Sequence, residues 1–230
     1  HILWPSLFLI SVFTCFILHE FGHALTARRY GVKTVDIILS PIGGVARLDR
    51  LPENPWQEFN VAIAGPMVNL VIALILCPFL FFIDSDNTKT FLDMLWAGNL
   101  PSVPILLSSF FLASLFVLNI SLAVFNLIPA FPMDGGRIFR ALLSIPLSRV
   151  RATKIASIVG QAFAVLMVLY GIWSYSIILS IIGVFIFLSA GQEARSIQTE
   201  AWLNTEVVGR IMRRSFTTLS QSDLLQKPFD

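Results

Sequence analysis

Charge is scarce in this sequence. Only 13% of its 230 residues are Asp, Glu, Lys or Arg, against roughly 25% in a soluble domain. Hydrophobic residues make up 56%, and the mean hydropathy is +0.78. An ordinary soluble globule is excluded, and an integral membrane protein is expected. An excess of one sign is missing too. Sixteen basic and 14 acidic residues leave a net charge of +2, so no nucleic-acid partner is expected. Cysteine is nearly absent: Cys15 and Cys77 both lie in apolar runs. That excludes a disulfide framework and leaves them as small buried hydrophobes. Histidine occurs three times, so imidazole chemistry is confined to His1, His19 and His23. The first apolar run has no basic leader and no small-residue cleavage site, and does not read as a cleavable signal peptide.

What is present is long apolar runs. A bilayer core about 30 Å thick takes about 20 apolar residues per helix. Five stretches qualify: Ile2 to Ala27, Phe59 to Ile83, Ile105 to Ile128, Ile155 to Trp173 and Ser176 to Gly191. The expected fold class is a membrane all-α bundle. A small β-hairpin or edge-strand element follows the first span, in "VKTVDIILSPIGGVARLDR", where Pro41, Gly43 and Gly44 bring turn chemistry.

Positive charge orients the spans. Arg28, Arg29, Lys33, Arg47 and Arg50 fall in the first loop, Arg137, Arg140, Arg149, Arg151 and Lys154 in the third, and Arg195 follows the last span. The loop from Asp84 to Pro104 instead holds three aspartates and one lysine. The basic loops and the C-terminus are therefore expected in the cytosol and the acidic loop outside. This places the N-terminus outside, and together with a first residue that is His1 rather than Met it leads to the expectation of a preceding helix in a longer protein. Residues 1–195 are read as the membrane domain. Residues 196–230 are read as a cytosolic linker and the start of a soluble domain.

The segment "FILHEFGHALTARR" carries the chemistry. His19 and His23 are four residues apart, which on a helix puts both imidazoles on one face about one turn apart. Both can reach one tetrahedral metal, and Glu20 can address a water bound to it. This is HExxH, the zinc-peptidase pattern with the glutamate as general base. On a surface helix the same letters are unremarkable polar residues. Inside an apolar span they are costly, and a metal or a water-filled cavity rationalises all three. Gly22 and Ala24 beside them suit close helix packing.

A catalytic zinc wants a third protein ligand. With no other histidine or cysteine nearby, a carboxylate is expected, and Asp134 in "NLIPAFPMDGGR" is the best candidate. Pro129 and Pro132 break the helix there, and Gly135 and Gly136 let the backbone bend closely. Asp134 also reads as an ordinary N-cap of the helix that follows. Asn69 in "AGPMVN" and Asn126 at the end of the third span are candidate substrate-binding groups, for substrate backbone or a developing oxyanion. Each reads equally as glue between helices. Asn119 reads as packing.

Together "HEFGHALTARRYGV", "PIGGVARL", "AGPMVN" and "FNLIPAFPMDGGR" resemble the site-2 protease family of intramembrane zinc metalloproteases, over roughly residues 1–195. The resemblance implies one zinc per chain on His19, His23 and Asp134, Glu20 as general base, and a role for Asn126 near substrate. It implies a transmembrane protein as substrate, cut within the lipid bilayer. Members with "PIGG" and a cytosolic tail often carry cystathionine-β-synthase-type (CBS) domains, and "VGRIMRRSFTTLSQSDLL" is similar to the opening of one. An adenine nucleotide is the partner such domains imply. This branch usually has six spans, one more than the runs seen here.

Two other function classes compete. A membrane zinc hydrolase of the prenyl-protein peptidase type would share HExxH but recruit a glutamate from a later helix, and Ile155 to Gly191 contains no acidic residue. A non-catalytic scaffold or metal carrier would spread ligands over several spans, whereas this sequence concentrates them at one place.

Overall fold

The computed structural model describes residues 3–32, 34–40, 43–48, 54–82, 85–98 and 110–205. Helix α1 (Leu3–Arg29) is followed by strands β1 (Thr34–Ser40) and β2 (Gly43–Leu48). Then come α2 (Pro55–Phe82), α3 (Ser85–Trp96), α4 (Phe111–Asn126), α5 (Asp134–Leu143), α6 (Arg149–Trp173) and α7 (Ile177–Thr205). Among the described residues four helices are long and apolar enough to cross a membrane: α1, α2, α6 and α7. The shorter α4 is apolar as well. Large side chains such as Leu74, Leu166 and Ile178 are exposed along them, as expected of helices whose solvent is lipid. The protein is a multi-pass membrane protein.

Local sequence sets the boundaries that matter for the site. At the end of α1, Gly31 adopts a positive φ of 76°. The Gly31 amide donates to the Arg28 carbonyl, and the Val32 amide to the Ala27 carbonyl. That is a Schellman motif. Its apolar contact is present too, since Val32 packs with Ala27 and with Val61 of α2. The start of α2 is fixed by Asn54, whose Oδ1 accepts the Trp56 amide at 2.9 Å, with Pro55 at the first helical position.

β1 and β2 pair antiparallel, with Ser40 opposite Gly43 and Ile38 opposite Val45, and the pair lies against α1. Pro41, between the strands, lies outside the described residues. So do His1, Lys33 and Arg50, the first part of the expected third span, and residues 206–230, where the CBS-like stretch falls.

Helices α1, α2 and α4 pack together, while α6 and α7 form an extensive antiparallel pair reached through α5. At Gly22 of α1 a β-carbon would meet Val68 Cγ2 at 2.8 Å and the Ala64 carbonyl at 2.9 Å. Backbones approach this closely in membranes where small residues line the contact. Ala156 and Ala164 of α6 and Ala190 of α7 play the same part in the second pair. Two clusters from that pair hold the segment before α5. Ala130 and Met133 pack with Ala164 and Ile186, and Phe131 packs with Ala156 and Ala190.

Candidate metal centre

His19 and His23 lie on one face of α1 and are 6% and 5% exposed. Asp134, at the first position of α5, is 8% exposed. Its Oδ2 lies 3.2 Å from His19 Nε2 and 3.1 Å from His23 Nε2, and the two Nε2 atoms are 3.2 Å apart. The residue preceding α5 is Met133, which makes no side-chain cap. Asp134 is therefore not the N-cap. Its carboxylate turns to the histidines, and a negative group in the first turn also suits the helix dipole.

The glycines after Asp134 act through space rather than through φ. A β-carbon at Gly135 would overlap the Leu127 and Ile128 carbonyls, and one at Gly136 would lie 2.7 Å from Ala130 C and Phe131 N. Without side chains there, residues 127–133 fold back over the start of α5.

Helix α2 supports both imidazoles through one stripe, Val61, Gly65 and Asn69, each four residues from the next. The His23 Nδ1–H donates to the Val61 carbonyl at 2.7 Å. The Asn69 side-chain amide meets His19 Nδ1 at 3.1 Å. Between them, a β-carbon at Gly65 would overlap His23 Nε2 and lie 2.6 Å from His19 Nε2. Only glycine leaves both rings room.

The chemistry of the donor set fits a cation. A carbonyl only accepts, so the neutral His23 ring carries its proton on Nδ1 and presents a lone pair at Nε2. Asp134 Oδ2 brings another lone pair to within 3.1 Å. Two lone pairs in a buried place repel unless a positive charge lies between them. A tetrahedral zinc with bonds of about 2.0–2.1 Å holds its ligands about 3.3–3.4 Å apart, close to the three separations here. Among the described residues His19, His23 and Asp134 form a three-donor group. Three ligands leave a fourth position open, as in catalytic zinc sites.

Glu20 follows His19 on α1 and is half-buried. Asn126 ends α4 and is also half-buried. Asn69 is fully buried behind His19. Asn119 is fully buried, donating to the Leu115 carbonyl and to Cys15 Sγ, which is a packing role between α4 and α1.

Three features escape a reading of the sequence. Val61 contributes only its backbone, and Gly65 contributes only an absence. The signal for Gly65 is its place four residues before Asn69 in "AGPMVN". The third is Arg140 of α5, fully buried. Its Nε donates to Glu58 Oε1 of α2 at 2.7 Å, and Nη2 lies 2.6 Å from the same oxygen as an ion pair. Its Nη1 donates to Glu193 Oε1 of α7, and the guanidinium stands 5.2 Å from the centroid of the Phe131 ring. One arginine thus ties α2, α7 and the Asp134 loop together.

Known proteins resemble the chain over most of this region. The family described as Peptidase family M50 matches residues 7–170. The chain is 40% identical over 199 residues to "Zinc metalloprotease MJ0392" of Methanocaldococcus jannaschii, covering 86% of this chain and 52% of that protein. It is 33% identical over 199 residues to "Putative zinc metalloprotease sll0528" of Synechocystis, covering 83% and 48%. The solved "Site-2 Protease from Methanocaldococcus jannaschii" superposes with a TM-score of 0.57 at 34% identity, covering 84% of this chain and 87% of that one. The chain spans about half the length of the curated relatives it matches.

Proposed function

This chain belongs to peptidase family M50, the site-2 protease family of zinc metalloproteases, and on that premise we propose that it hydrolyses peptide bonds within transmembrane segments of membrane-anchored proteins. The observation that carries the proposal is the buried triangle of His19 Nε2, His23 Nε2 and Asp134 Oδ2, 3.1–3.2 Å on a side, next to a glutamate on the same helix.

His19, His23 and Asp134 hold one zinc per chain. Zinc bound there supplies a Lewis acid and acidifies a water to a pKa of about 7. Glu20 accepts the water proton on a carboxylate oxygen and hands it to the leaving amide nitrogen, so the proton count closes within one turnover.

A carbonyl inside an intact helix is already bonded to its own chain, so substrate must unwind locally. Each backbone group freed in hydrocarbon costs several kcal/mol unless it finds a partner. Asn126 and the edges of the β1–β2 pair are the proposed partners, the latter by strand addition. The basic loops favour the cytosolic side by the positive-inside tendency, and this supports a site in the cytosolic half of the bilayer.

The test is a comparison of membrane-anchored fragments in cells carrying the wild-type protein and in cells carrying Glu20→Gln. Fragments that form only with wild type, with termini inside spans, support the proposal. Identical fragment sets in the two backgrounds overturn it.

A further inference from the structure

Asn69 is fully buried, and among the described residues its side chain ends against one titratable partner. That partner is His19 Nδ1, 3.1 Å from the amide nitrogen. The amide oxygen, buried as well, has no hydrogen-bond partner among the described residues. This pairing conflicts with metal binding. If the Asn69 nitrogen donates to Nδ1, then Nδ1 holds the lone pair and the neutral ring carries its proton on Nε2, which is the atom facing Asp134 and His23. A proton there blocks a metal bond. Turning the amide by 180° exchanges the oxygen and nitrogen, which have nearly the same size and shape. The orphaned oxygen then accepts the Nδ1 proton, and Nε2 is left bare. His23 already has this arrangement, with the Val61 carbonyl as acceptor.

We propose that Asn69 is the positioning residue of the metal centre, its side-chain carbonyl accepting the Nδ1 proton of His19 so that Nε2 faces the metal. Val61 and Asn69 are then equivalent devices, a backbone and a side-chain carbonyl placed eight residues apart on one face of α2, each fixing the tautomer of one histidine. A ligating histidine almost always needs such an acceptor, and losing it typically weakens metal binding 10–100-fold. An asparagine has an advantage over a fixed acceptor. Its amide can donate to Nδ1 when the neutral ring carries its proton on Nε2, and accept from Nδ1 when a metal takes Nε2, so the same residue suits both tautomers.

The inference rests on the zinc reading above, and the test separates the two. Zinc affinity of the detergent-purified full chain is measured by chelator competition, and the cobalt-loaded protein is read by its visible ligand-field bands. Wild type must first bind zinc, and a wild type that binds none sinks the metal site itself. Given binding, Asn69→Leu, similar in size and without an acceptor, should lose affinity 10–100-fold and shift the cobalt bands. Asn69→Asp restores an acceptor and should stay within about threefold of wild type, with bands close to wild type. Packing alone predicts the reverse order, with leucine tolerated and a buried carboxylate rejected. Wild-type affinity in Asn69→Leu overturns the inference. Should that variant not fold, Asn69→Asp decides alone: lost zinc, or lost folding, overturns it as well.

Discussion

Gly65 faces His23 so closely that a β-carbon on it would overlap the Nε2 atom of the imidazole. Gly65→Ala is thus expected to abolish stoichiometric zinc binding, because the added methyl forces one or both rings off the shared vertex. The change is small and helix-favouring, so helical content should be unchanged. Metal analysis beside far-ultraviolet circular dichroism checks this; a folded Gly65→Ala protein with full zinc would refute the placement of the rings.

Glu20→Gln keeps size and hydrogen bonding but removes the base. Zinc should be retained and cleavage should fall by about 10²–10⁴-fold, the usual contribution of a positioned general base. Single-turnover cleavage of a reconstituted transmembrane substrate measures it. Activity near wild type would mean another group takes the proton.

Asp134→Ala should cost zinc affinity while leaving α5 in place, because the helix starts at Asp134 without a side-chain cap to lose. If Asp134 mattered only to α5, the variant would lose helical stability and keep its metal. Zinc titration together with thermal unfolding distinguishes the two.

Arg140→Ala strands the Glu58 carboxylate in a buried place. Breaking a buried pair this way costs about 3–5 kcal/mol, whereas replacing every partner with apolar residues is often neutral. Arg140→Ala is therefore expected to unfold at much lower temperature than wild type, and Arg140→Met with Glu58→Leu and Glu193→Leu should recover most of the difference. A thermal shift in matched detergent reads it. No recovery in the triple variant would assign the arginine a role beyond neutralising its partners.

Cleavage of substrate should fall in the cytosolic half of its span, and helix-breaking residues placed there should speed it while leucine runs slow it. Product termini mapped by mass spectrometry give the answer. A cut on the outer side would contradict the orientation taken from the basic loops.

The convergence of His19, His23 and Asp134 was legible because His, Glu and Asp are rare and costly in apolar helices. Two histidines four apart name a helix face, and a missing third ligand names a carboxylate. Asn69 was legible as a polar residue in a span but not in its partner, since an asparagine in an apolar helix looks the same whether it holds a helix, a substrate or a ligand. Val61, Gly65 and the Arg140 ties were not legible. A backbone carbonyl has no letter, a glycine shows only that something comes close, and Glu58, Arg140 and Glu193 are distant in sequence. Boundaries shifted for a related reason. Hydropathy ends the last span at Gly191, yet α7 runs to Thr205, because leaving lipid does not end a helix's hydrogen bonding. The acidic loop likewise contains α3, whose short amphipathic sequence carries no span signal.

The triangle of His19, His23 and Asp134 joins parts of the chain that are remote in order. His23 and Asp134 stand 111 positions apart, the first on α1 and the second on the segment braced by α6 and α7. A metal bridging them is a cross-link that closes a loop of roughly a hundred residues. In chain-entropy terms a closure of that length is worth on the order of 4–5 kcal/mol, an upper limit here because helices inserted in a bilayer are already restricted before they assemble. Zinc on this reading also sets the cohesion of the bundle. Stripping it with a chelator should lower the resistance of the folded protein to harsh detergent as well as silence it, and Glu20→Gln, which spares the ligands, should leave that resistance intact.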